Sequence, residues 1–389
     1  MRQRVAVAGA GIFGVTGALE LARRGHRVTL CDSGPLPHPL ASSTDISKVV
    51  RLEYGADLFY TEAVEEALVR WRALNARWGE PLFHETGVLF LTRGPMEPGS
   101  FEAESFALLT ARGHALERLD EPAIAARFPT LSSRRAHRRL LRSRGRLGRE
   151  RARGGRAPRR GARRGRGARG RARHRPARAR RSRHGPLHRA RRARGGLRGG
   201  GGRRLHALAP RVDVRVDAGR RPAGPSLRAA RARALRAAAP RALRRRHPRT
   251  GWYGFGASDA GVVKIAHHGA GVPVDPAARR DVPADAEPRF RAFLRDTLPE
   301  LAEAPLAGSR LCLYCDSADG DPWIARVPDR PGLVVASGGS GHAFKLAPLL
   351  GEWIACEVED GRGPARLGWR DPSARAEAAR FVEGRAPSR

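Results

Sequence analysis

The residues whose spacing is most specific for chemistry form the motif Gly9-Ala-Gly11-Ile-Phe-Gly14 near the start of the chain. The short apolar run Val5–Ala8 precedes it, and an amphipathic helix is predicted after it, from about Val15 to Arg24. In such a unit the first glycine permits a tight turn, the second lets the backbone approach a pyrophosphate, and the third allows the helix to pack closely on the strand. The motif predicts a dinucleotide-binding turn and by itself leaves FAD and NAD(P) as alternatives.

An acid completes this predicted site. A second strand is predicted at Arg27–Cys31, and Asp32 follows it where an acid binds the ribose hydroxyls of a dinucleotide. The N-terminus of the intervening helix favours a phosphate because of its free N–H groups and its dipole. The alternative is a glycine-rich turn without a ligand, which the order of strand, turn, helix, strand and acid disfavours.

Lysine is rare in this chain, which contains only Lys48, Lys264 and Lys345. Lys264 lies in the apolar run Gly261-Val-Val-Lys-Ile-Ala, which predicts a short strand. A lysine that loses its water there has a lowered pKa and can act chemically, whereas the alternative is a side chain that extends to water.

Three regularly spaced polar residues precede a predicted long helix. Lys48, Arg51 and Tyr54 are spaced three residues apart, so a helix would place them on one broad face. That spacing alone favours a solvated charged face. Leu58–Trp78 is predicted to be an amphipathic helix, and Gly87–Thr92 a buried strand.

The four cysteines are Cys31, Cys312, Cys315 and Cys356. Cys312 and Cys315 form a CxxC pair, which can indicate zinc or redox chemistry, but no second pair accompanies it, so no metal site is predicted. This cysteine count, an apolar strand that begins at Val5 without a signal-like region, and the lack of an apolar run of ~20 residues favour a cytoplasmic protein without a membrane span.

A second strand, glycine loop and helix are predicted near the other end of the chain. The strand Leu333–Ala336 leads into Ser337-Gly-Gly-Ser-Gly-His-Ala-Phe-Lys345, and a helix follows from about Ala347 to Val358. Two such units predict an α/β fold (α+β overall) with one Rossmann-like cofactor domain assembled from both ends of the chain. We predict a cofactor domain at 1–80 and 325–361, a sheet-containing substrate domain at 81–130 and 250–324, and a C-terminal tail at 362–389.

Together these segments resemble the family of monomeric sarcosine oxidase, N-methyltryptophan oxidase and fructosyl amino acid oxidases, which are FAD-dependent oxidoreductases of the D-amino-acid-oxidase type. The resemblance covers roughly Arg2–Thr130 and Gly251–Gly361. It implies FAD as cofactor, with Gly9, Gly11, Gly14 and Asp32 at its ADP part. It also implies that Cys312 carries the flavin through a thioether, that Lys264 promotes the reaction with oxygen, and that Arg51 and Lys345 bind the substrate carboxylate. The remaining implied positions are the substrate-pocket residues Tyr253, Tyr314 and His268, and the residues beside the flavin, Lys48, Gly339, Gly341 and His342.

The same resemblance implies oxidation of a secondary amine. Hydride would pass from the carbon next to nitrogen to flavin N5, the imine would hydrolyse, and O2 would become H2O2. The partners would be a small amino acid and O2, with no specific nucleic acid and no membrane, and the protein would be a monomer. Sarcosine, a larger N-methyl amino acid and a glycated amino acid remain alternatives, with Asp316 and Asp319 leaning slightly towards the last.

The middle of the chain differs from both ends. Arg134–Arg249 contains 44 Arg, no Lys and three acids in 116 residues, so this segment carries +41 while the whole chain carries +37. It also contains no Ile, Phe, Tyr, Trp or Met. So few large apolar residues cannot offset the conformational entropy of folding, and residues 131–249 are predicted to be disordered or aberrant.

Two explanations of this segment compete. Arginine runs bind phosphate backbones, which makes a non-catalytic nucleic-acid-binding protein the alternative function, although the segment lacks aromatic residues for base stacking. GC-rich codons read out of frame also give Arg, Ala, Gly and Pro, so we favour a frameshift near codon 133 that is reversed near codon 250. The resembling family has strands and a Gly-Ala-Trp turn here. If the encoded frame is correct, we expect missing strands in the central sheet and poor flavin binding.

Overall fold

The computed structural model describes residues 2–79, 81–92, 96–131, 250–258, 261–268, 275–276 and 279–370, and the strands at 140–143, 146–148, 211–218 and 242–247. All of them belong to one compact unit of the chain. The disorder predicted for the rest of Arg134–Arg249, and residues 371–389 of the predicted tail, lie outside the described residues.

Fifteen strands and six helices are present in the described part of the chain. In chain order they are β1 (Arg4–Ala8), α1 (Ile12–Arg23), β2 (Arg27–Cys31), β3 (Lys48–Val50), α2 (Leu58–Trp78), β4 (Phe83–His84), β5 (Val88–Leu91), α3 (Phe101–Ala111), β6 (Leu116–Leu119), α4 (Glu121–Arg127), β7 (Leu140–Ser143), β8 (Arg146–Gly148), β9 (Arg211–Ala218), β10 (Ala242–His247), β11 (Thr250–Phe255), β12 (Lys264–His268), α5 (Ala286–Thr297), β13 (Ser309–Asp316), β14 (Trp323–Arg326), β15 (Val334–Ser337) and α6 (Ala347–Asp360). Short 3-10 turns lie at Pro299–Leu301, Ala343–Leu346 and Ala365–Leu367.

The first unit has the order that the glycine motif predicts. β1 pairs in parallel with β2, and α1 connects them. α1 begins three residues before the predicted start because Gly11 has extended dihedral angles and acts as its N-cap. Gly25, after the helix, has φ of +88°, a conformation that favours glycine and lets the chain turn into β2.

A large sheet carries most of the remaining strands. Its order is β13-β9-β12-β11-β10-β5-β7-β6, and all neighbours are antiparallel except β10 and β5. β3, β8 and β4 form a three-stranded antiparallel sheet, and β14 pairs antiparallel with β15. The mixed α/β fold class predicted from the sequence is therefore confirmed.

Four of these strands come from the arginine-rich segment: β8 lies in the three-stranded sheet, and β7, β9 and β10 lie in the large sheet. The expectation that the large sheet lacks strands from this segment is therefore wrong for β7, β9 and β10. The clearest is β9, whose sequence RVDVRVDA alternates valine with charged residues. Such alternation is the period-2 pattern of a strand. β9 pairs with β13 over eight positions and also contacts β12, so it joins two strands that carry predicted site residues.

Two apolar cores hold these elements together. The first lies between α2 and α6 and includes Tyr60, Val64, Leu350 and Ile354. The second lies between the large sheet and α5, where Trp252 stacks on Phe293 with ring centroids 4.2 Å apart. The predicted helix at Leu58–Trp78 is confirmed with the same bounds. In the part of the chain that the structure describes, no helix has the length and apolarity needed to cross a membrane.

The stretch before α2 is not helical. Lys48–Val50 is strand β3, and the predicted charged helix face is therefore wrong. Arg51 and Tyr54 are 9% and 8% exposed, so the expectation that this face is solvated is wrong as well. Val49 and Val50 are β-branched and favour a strand, and the three-residue spacing of the polar side chains misled the prediction.

Candidate active site

The turn between β1 and α1 has the close backbone approach that its glycines predict. Gly9 has φ of +97°, and its N–H donates to Cys31 O at 2.7 Å. A Cβ on Gly14 would lie 1.8 Å from Gly9 O, so only glycine lets α1 begin this close to β1. A Cβ on Gly11 would meet no described atom within 4 Å. The turn therefore offers open space beside the first N–H groups of a helix, which favour an anion.

Asp32 lies beside the same turn. Its Oδ2 accepts a hydrogen bond from Ala10 N–H at 2.6 Å, and its Oδ1 accepts one from Gly34 N–H at 3.0 Å. These backbone donors, with Ala10 the strongest, hold the pKa of the exposed Asp32 carboxyl below its ordinary value. The carboxylate is therefore ionised at neutral pH and can accept hydrogen bonds from hydroxyl groups.

One cavity of about 580 Å³ opens next to this turn. Of the fifteen predicted site residues, all but Gly9, Gly14 and Asp32 line it, and these three belong to the adjoining turn. The twelve that line the cavity are Gly11, Lys48, Arg51, Tyr253, Lys264, His268, Cys312, Tyr314, Gly339, Gly341, His342 and Lys345. The structure therefore brings together residues from both ends of the chain.

Side chains alternate between the two faces of strands β11 and β12, which explains how Tyr253, Lys264 and His268 reach the cavity. On β11, Trp252 packs on α5, so the next residue, Tyr253, points to the other face of the sheet, where it lines the cavity. On β12, Ile265 is buried in the core with α5, and Lys264 and His268 line the cavity. The register pairs Phe255 with Lys264, which places the ammonium 5.2 Å from the Phe255 ring centroid.

Lys264 is buried and has an acidic partner. It is 2% exposed, so the alternative that its side chain extends to water is wrong. Its Nζ donates to Asp45 Oδ2, and also to Ser47 O at 3.1 Å. The carboxylate compensates the loss of water around the ammonium. Asp45 was missed because its partner is 219 positions away in the sequence.

Arg51 and Lys345 lie around one tyrosine ring. The Arg51 guanidinium carbon is 5.1 Å from the Tyr54 ring centroid, and Lys345 Nζ is 4.7 Å from the same centroid. Lys345 is 4% exposed and donates to Tyr54 Oη at 2.8 Å. Phe101, which the sequence did not predict, lies 5.3 Å from the guanidinium. Among the described residues, nothing hydrogen-bonds to the buried Nη1 of Arg51.

A hydrogen-bonded chain continues from Lys345. Because an ammonium can only donate, Tyr54 Oη accepts from Lys345, which leaves its own proton for His342 Nδ1 at 3.0 Å. His342 Nε2 lies 3.0 Å from Gly320 O, a pure acceptor, so this nitrogen carries a proton. The chain fixes the rotamers of three side chains that line the cavity.

β13 supplies a buried thiol and an aromatic side chain. Cys312 is 6% exposed and, like Tyr314, lines the cavity. Burial lowers the pKa of the nearby Arg280 guanidinium, Arg310 adds to this effect, and Cys312 opposes it. No cluster of three or more potential metal ligands occurs among the described residues.

The loop after β15 packs against the end of β13. Ser340 N–H donates to Cys315 O at 3.0 Å, which ties the loop to the strand. Gly341 has φ of +68°, and a Cβ there would lie 2.4 Å from the Tyr314 ring. A Cβ on Gly339 would lie 3.2 Å from the Phe13 ring of α1. Gly341 therefore allows the close contact of this loop with β13, and Gly339 allows its close contact with α1.

The residues present fit FAD. The open space at Gly11 and the carboxylate of Asp32 suit the ADP part. The adjoining cavity contains apolar surface and a thiol, as an isoalloxazine ring and a thioether attachment require. Gly9, Gly11, Gly14 and Asp32 would hold the nucleotide, while Lys48, Cys312, Gly339, Gly341 and His342 would adjoin the flavin.

Two curated relatives match most of the chain, and a third matches 28% of it. N-methyl-L-tryptophan oxidase from Salmonella arizonae is 27% identical over 365 residues, which cover 91% of this chain and 94% of that protein. Monomeric sarcosine oxidase from Bacillus sp. is 24% identical over 376 residues, with 90% of each chain covered. L-saccharopine oxidase from Schizosaccharomyces pombe is 34% identical over 110 residues, only 23% of its length.

Solved structures share the fold. Fructosamine oxidase (Amadoriase II) from Aspergillus fumigatus superposes with a TM-score of 0.67 at 20% identity, with 99% of this chain and 93% of that chain covered. NikD, an amino acid oxidase of nikkomycin biosynthesis, superposes with a TM-score of 0.64 at 18% identity, with 95% and 98% covered. The family model for FAD dependent oxidoreductases (DAO) matches residues 4–357. Both the nucleotide turn and the cavity lie within this match, and the chain belongs to the DAO family of FAD-dependent oxidoreductases.

Proposed function

We propose that this FAD-dependent enzyme oxidises secondary amines that carry a carboxylate, namely N-methyl or otherwise N-substituted amino acids. The observation that carries this proposal is the pair of nearly buried cations Arg51 and Lys345 beside Tyr54. A buried guanidinium N–H without a partner costs free energy, and a carboxylate recovers it through a charge-assisted hydrogen bond. The relatives act on amino acids by their names, which supports the same substrate class.

When bound, FAD would supply the redox chemistry: acceptance of a hydride from the carbon next to the amine nitrogen and transfer of the electrons to O2, with an imine and H2O2 as products. The protein groups position the substrate for this chemistry. With its carboxylate on Arg51 and Lys345, a substrate would extend towards the cavity walls formed by Tyr253, Tyr314 and His268. Aromatic walls exclude water and restrict the orientation of the amine.

Lys264 would supply charge for the reaction with oxygen. Its buried ammonium is held in place by Asp45 and by Ser47 O, so it needs no reorganisation during the reaction. A cation fixed in this way stabilises negative charge that develops when O2 is reduced.

The proposal is tested by H2O2 release from sarcosine, N-methyl-L-tryptophan, a fructosyl amino acid and saccharopine, each paired with its carboxamide. We expect oxidation of a carboxylate and little oxidation of its amide. Arg51→Gln and Lys345→Met should each lower kcat/KM for the carboxylate about 10- to 100-fold, since a hydrogen bond to a charged group contributes roughly 1.5–3 kcal/mol. The same substitutions should change the slow rate on the amide little.

Arg72→Gln is the matched control, because Arg72 is half exposed and pairs with Glu85 away from the cavity. This variant should behave as the unsubstituted protein. Equal rates on a carboxylate and its amide, or an Arg51→Gln variant that keeps full activity, would contradict the assignment of the carboxylate site.

We further propose that the protein acts as a cytoplasmic monomer, on a small amino acid and O2 alone. Its four cysteines are all free among the described residues, which suits a reducing compartment. Light scattering of the purified protein at several concentrations tests this: a monomer keeps the mass of 42.3 kDa throughout, and a mass that doubles on concentration would contradict it.

A further inference from the structure

Arg366 links three distant parts of the described chain. It lies in the 3-10 turn Ala365–Leu367, within residues that the sequence assigns to a tail. Its two terminal nitrogens donate to the two carboxylate oxygens of Asp57 at 2.9 and 2.8 Å, and its Nε donates to Asp321 Oδ2 at 2.8 Å. Such a planar, bidentate contact fixes orientation as well as distance.

This turn is part of the packed fold. Leu367, next to Arg366, is completely buried in the core between α2 and α6. The Arg366 side chain is 35% exposed, and its partners Asp57 and Asp321 are 20% and 12% exposed. Both acids raise the pKa of the guanidinium against the effect of its burial, so the charge is retained.

The contacts of Arg366 lead directly to a tyrosine pair. Tyr60 is completely buried and donates to Asp321 Oδ1 at 2.9 Å, so Arg366 and Tyr60 hold the two oxygens of the same carboxylate. The Tyr60 ring stacks on Tyr54, with centroids 4.9 Å apart and planes 14° apart. Tyr54 in turn accepts the hydrogen bond from Lys345 Nζ. Four contacts in series therefore connect the arginine with the cation in the cavity.

A second route reaches the same tyrosine. Arg370 donates to Asp321 O at 2.9 Å and pairs with Asp319, which fixes the loop that contains Gly320. Gly320 O accepts from His342, whose other ring nitrogen contacts Tyr54 Oη. Tyr54 is thus held by its ring through Tyr60 and by its hydroxyl through His342.

We infer that Arg366 is a positioning residue for the carboxylate site, and that it acts through Asp321, Tyr60 and Tyr54 on Lys345. This inference rests on the proposed function. Arg366 does not line the cavity, so its effect on a ligand passes through the residues that it holds. Loss of the guanidinium removes one of the contacts that hold the Asp321 carboxylate and, through Tyr60, the ring of Tyr54, so the ammonium of Lys345 is held less firmly in its direction.

The test uses acetate and its neutral isostere acetamide as probes, with binding followed by the change in flavin absorbance and without turnover. The unsubstituted protein should prefer acetate. Arg366→Gln should weaken acetate binding about tenfold and leave acetamide binding within twofold, because only the carboxylate uses Lys345. Arg366→Lys, which keeps the charge and loses the bidentate contact, should recover part of the affinity. With substrate, KM should rise more than kcat falls.

Arg362→Gln is the control, because Arg362 lies in the same segment, is 81% exposed and pairs only locally, with Asp360. It should leave acetate binding unchanged. If Arg366→Gln lowers thermal stability but binds acetate as tightly as the control, Arg366 has only a structural role and the inference is wrong.

A further measurement separates this inference from the proposed function. If the unsubstituted protein shows no preference for acetate, the carboxylate site itself is wrong. Unfolding by urea of Arg366→Gln, Tyr54→Leu, which removes the stacked ring, and the double variant then decides whether the two residues are coupled. Non-additive changes in unfolding free energy support the positioning of Tyr54 by Arg366, and additive changes overturn it.

Discussion

At the scale of single residues, the Asp45 carboxylate decides whether Lys264 can work as a buried cation. Asp45→Asn removes the carboxylate that pairs with this ammonium. A buried charge without its partner is strongly destabilised, so the lysine loses its proton or moves away. We expect the rate constant for reaction of the reduced enzyme with O2 to fall by about 10²-fold, which is the scale for removal of one electrostatic contact.

Stopped-flow measurement of the two half-reactions checks this prediction. Reduction of the enzyme by substrate under anaerobic conditions should change little, and only reoxidation should slow down. Asp285→Asn is the control, because Asp285 precedes α5 and its side chain is 67% exposed. An Asp45→Asn variant that reacts with O2 at the normal rate would show that Lys264 does not depend on this pair.

Cys312 is the second residue with a prediction of its own. Its thiol is buried, lines the cavity and lies near the Arg280 guanidinium, and we propose that it forms the thioether to the flavin. After precipitation with acid, flavin should remain on the unsubstituted protein and be released from Cys312→Ala. Cys356→Ala, which changes a thiol on α6, should retain the flavin. Release of flavin from all three proteins would show noncovalent binding.

At the scale of elements, two glycines of the β1–α1 turn have different functions: Gly14 lets α1 pack closely on β1, and Gly11 leaves space for the pyrophosphate. Gly14→Ala places a methyl group 1.8 Å from Gly9 O, so α1 must move and stability should fall by about 1–3 kcal/mol. Gly11→Ala meets no described atom within 4 Å, and its cost should stay within about 1 kcal/mol, typical of an N-cap change. The methyl group of this second variant, however, occupies the space for the pyrophosphate.

We therefore expect Gly11→Ala to fold normally and to contain little FAD, whereas Gly14→Ala loses both stability and FAD. Denaturant unfolding and the flavin content of the purified proteins distinguish the two variants, which serve as controls for each other. If Gly11→Ala retains a full complement of FAD, the turn does not contact the nucleotide.

The contact between α2 and the end of α3 gives a prediction about pH. Arg112, as the first cause, and His114 hold the pKa of the Glu65 carboxyl below its ordinary value. A carboxyl with a lowered pKa in the folded state stabilises the protein above its unfolded pKa, near 4.3, and loses this effect as pH falls through its folded pKa. The pair is partly exposed and screened by solvent, so Glu65→Gln should cost about 0.5–1 kcal/mol at pH 7.

Urea unfolding at several pH values measures this effect. The difference between Glu65→Gln and the unsubstituted protein should be constant at neutral pH and should disappear below the folded pKa of Glu65. Glu303→Gln provides the control, because that side chain is 82% exposed. A difference that persists unchanged in strong acid would mean that the carboxylate charge is not its cause.

The helices and strands also differ in how well the sequence predicts them. α2 has a strong 3.6-residue pattern, and Gly79 with φ of +66° ends it, so its bounds were predictable. β3 was not, because the three-residue spacing of Lys48, Arg51 and Tyr54 resembles a helix face. β9 has a clear alternating pattern, but the composition around it obscured the signal.

At the scale of the whole molecule, the candidate site depends on contacts between positions that are far apart in the sequence. The resemblance placed Lys264, Arg51 and Lys345 in one site, and twelve of the fifteen predicted residues do line one cavity. It did not identify Asp45 or Arg366, since their partners lie 219 and 309 positions away. Such pairs are fixed only when the fold brings both ends of the chain together.

The large sheet also provides a criterion for the correct reading frame of the arginine-rich segment. β9 lies between β13, which carries Cys312 and Tyr314, and β12, which carries Lys264 and His268. Any sequence of this segment must therefore supply a strand at that place, or the two groups of site residues separate. A correct reading frame should show alternating apolar strands there, and the encoded frame shows this pattern clearly only at RVDVRVDA.

We predict that resequencing of codons 130–250 will reveal two compensating frameshifts. The restored frame should replace most of the 44 arginines, add apolar strands and a Gly-Ala-Trp-like turn, and lower the net charge from +37 to near the −4 of the remaining chain. Cation-exchange chromatography distinguishes the encoded chain from the restored chain. The encoded chain should remain bound to the exchanger up to high salt, and the restored chain should not. If the encoded frame is confirmed, the segment is a genuine basic insertion, and salt-dependent retention on DNA becomes the test of its role.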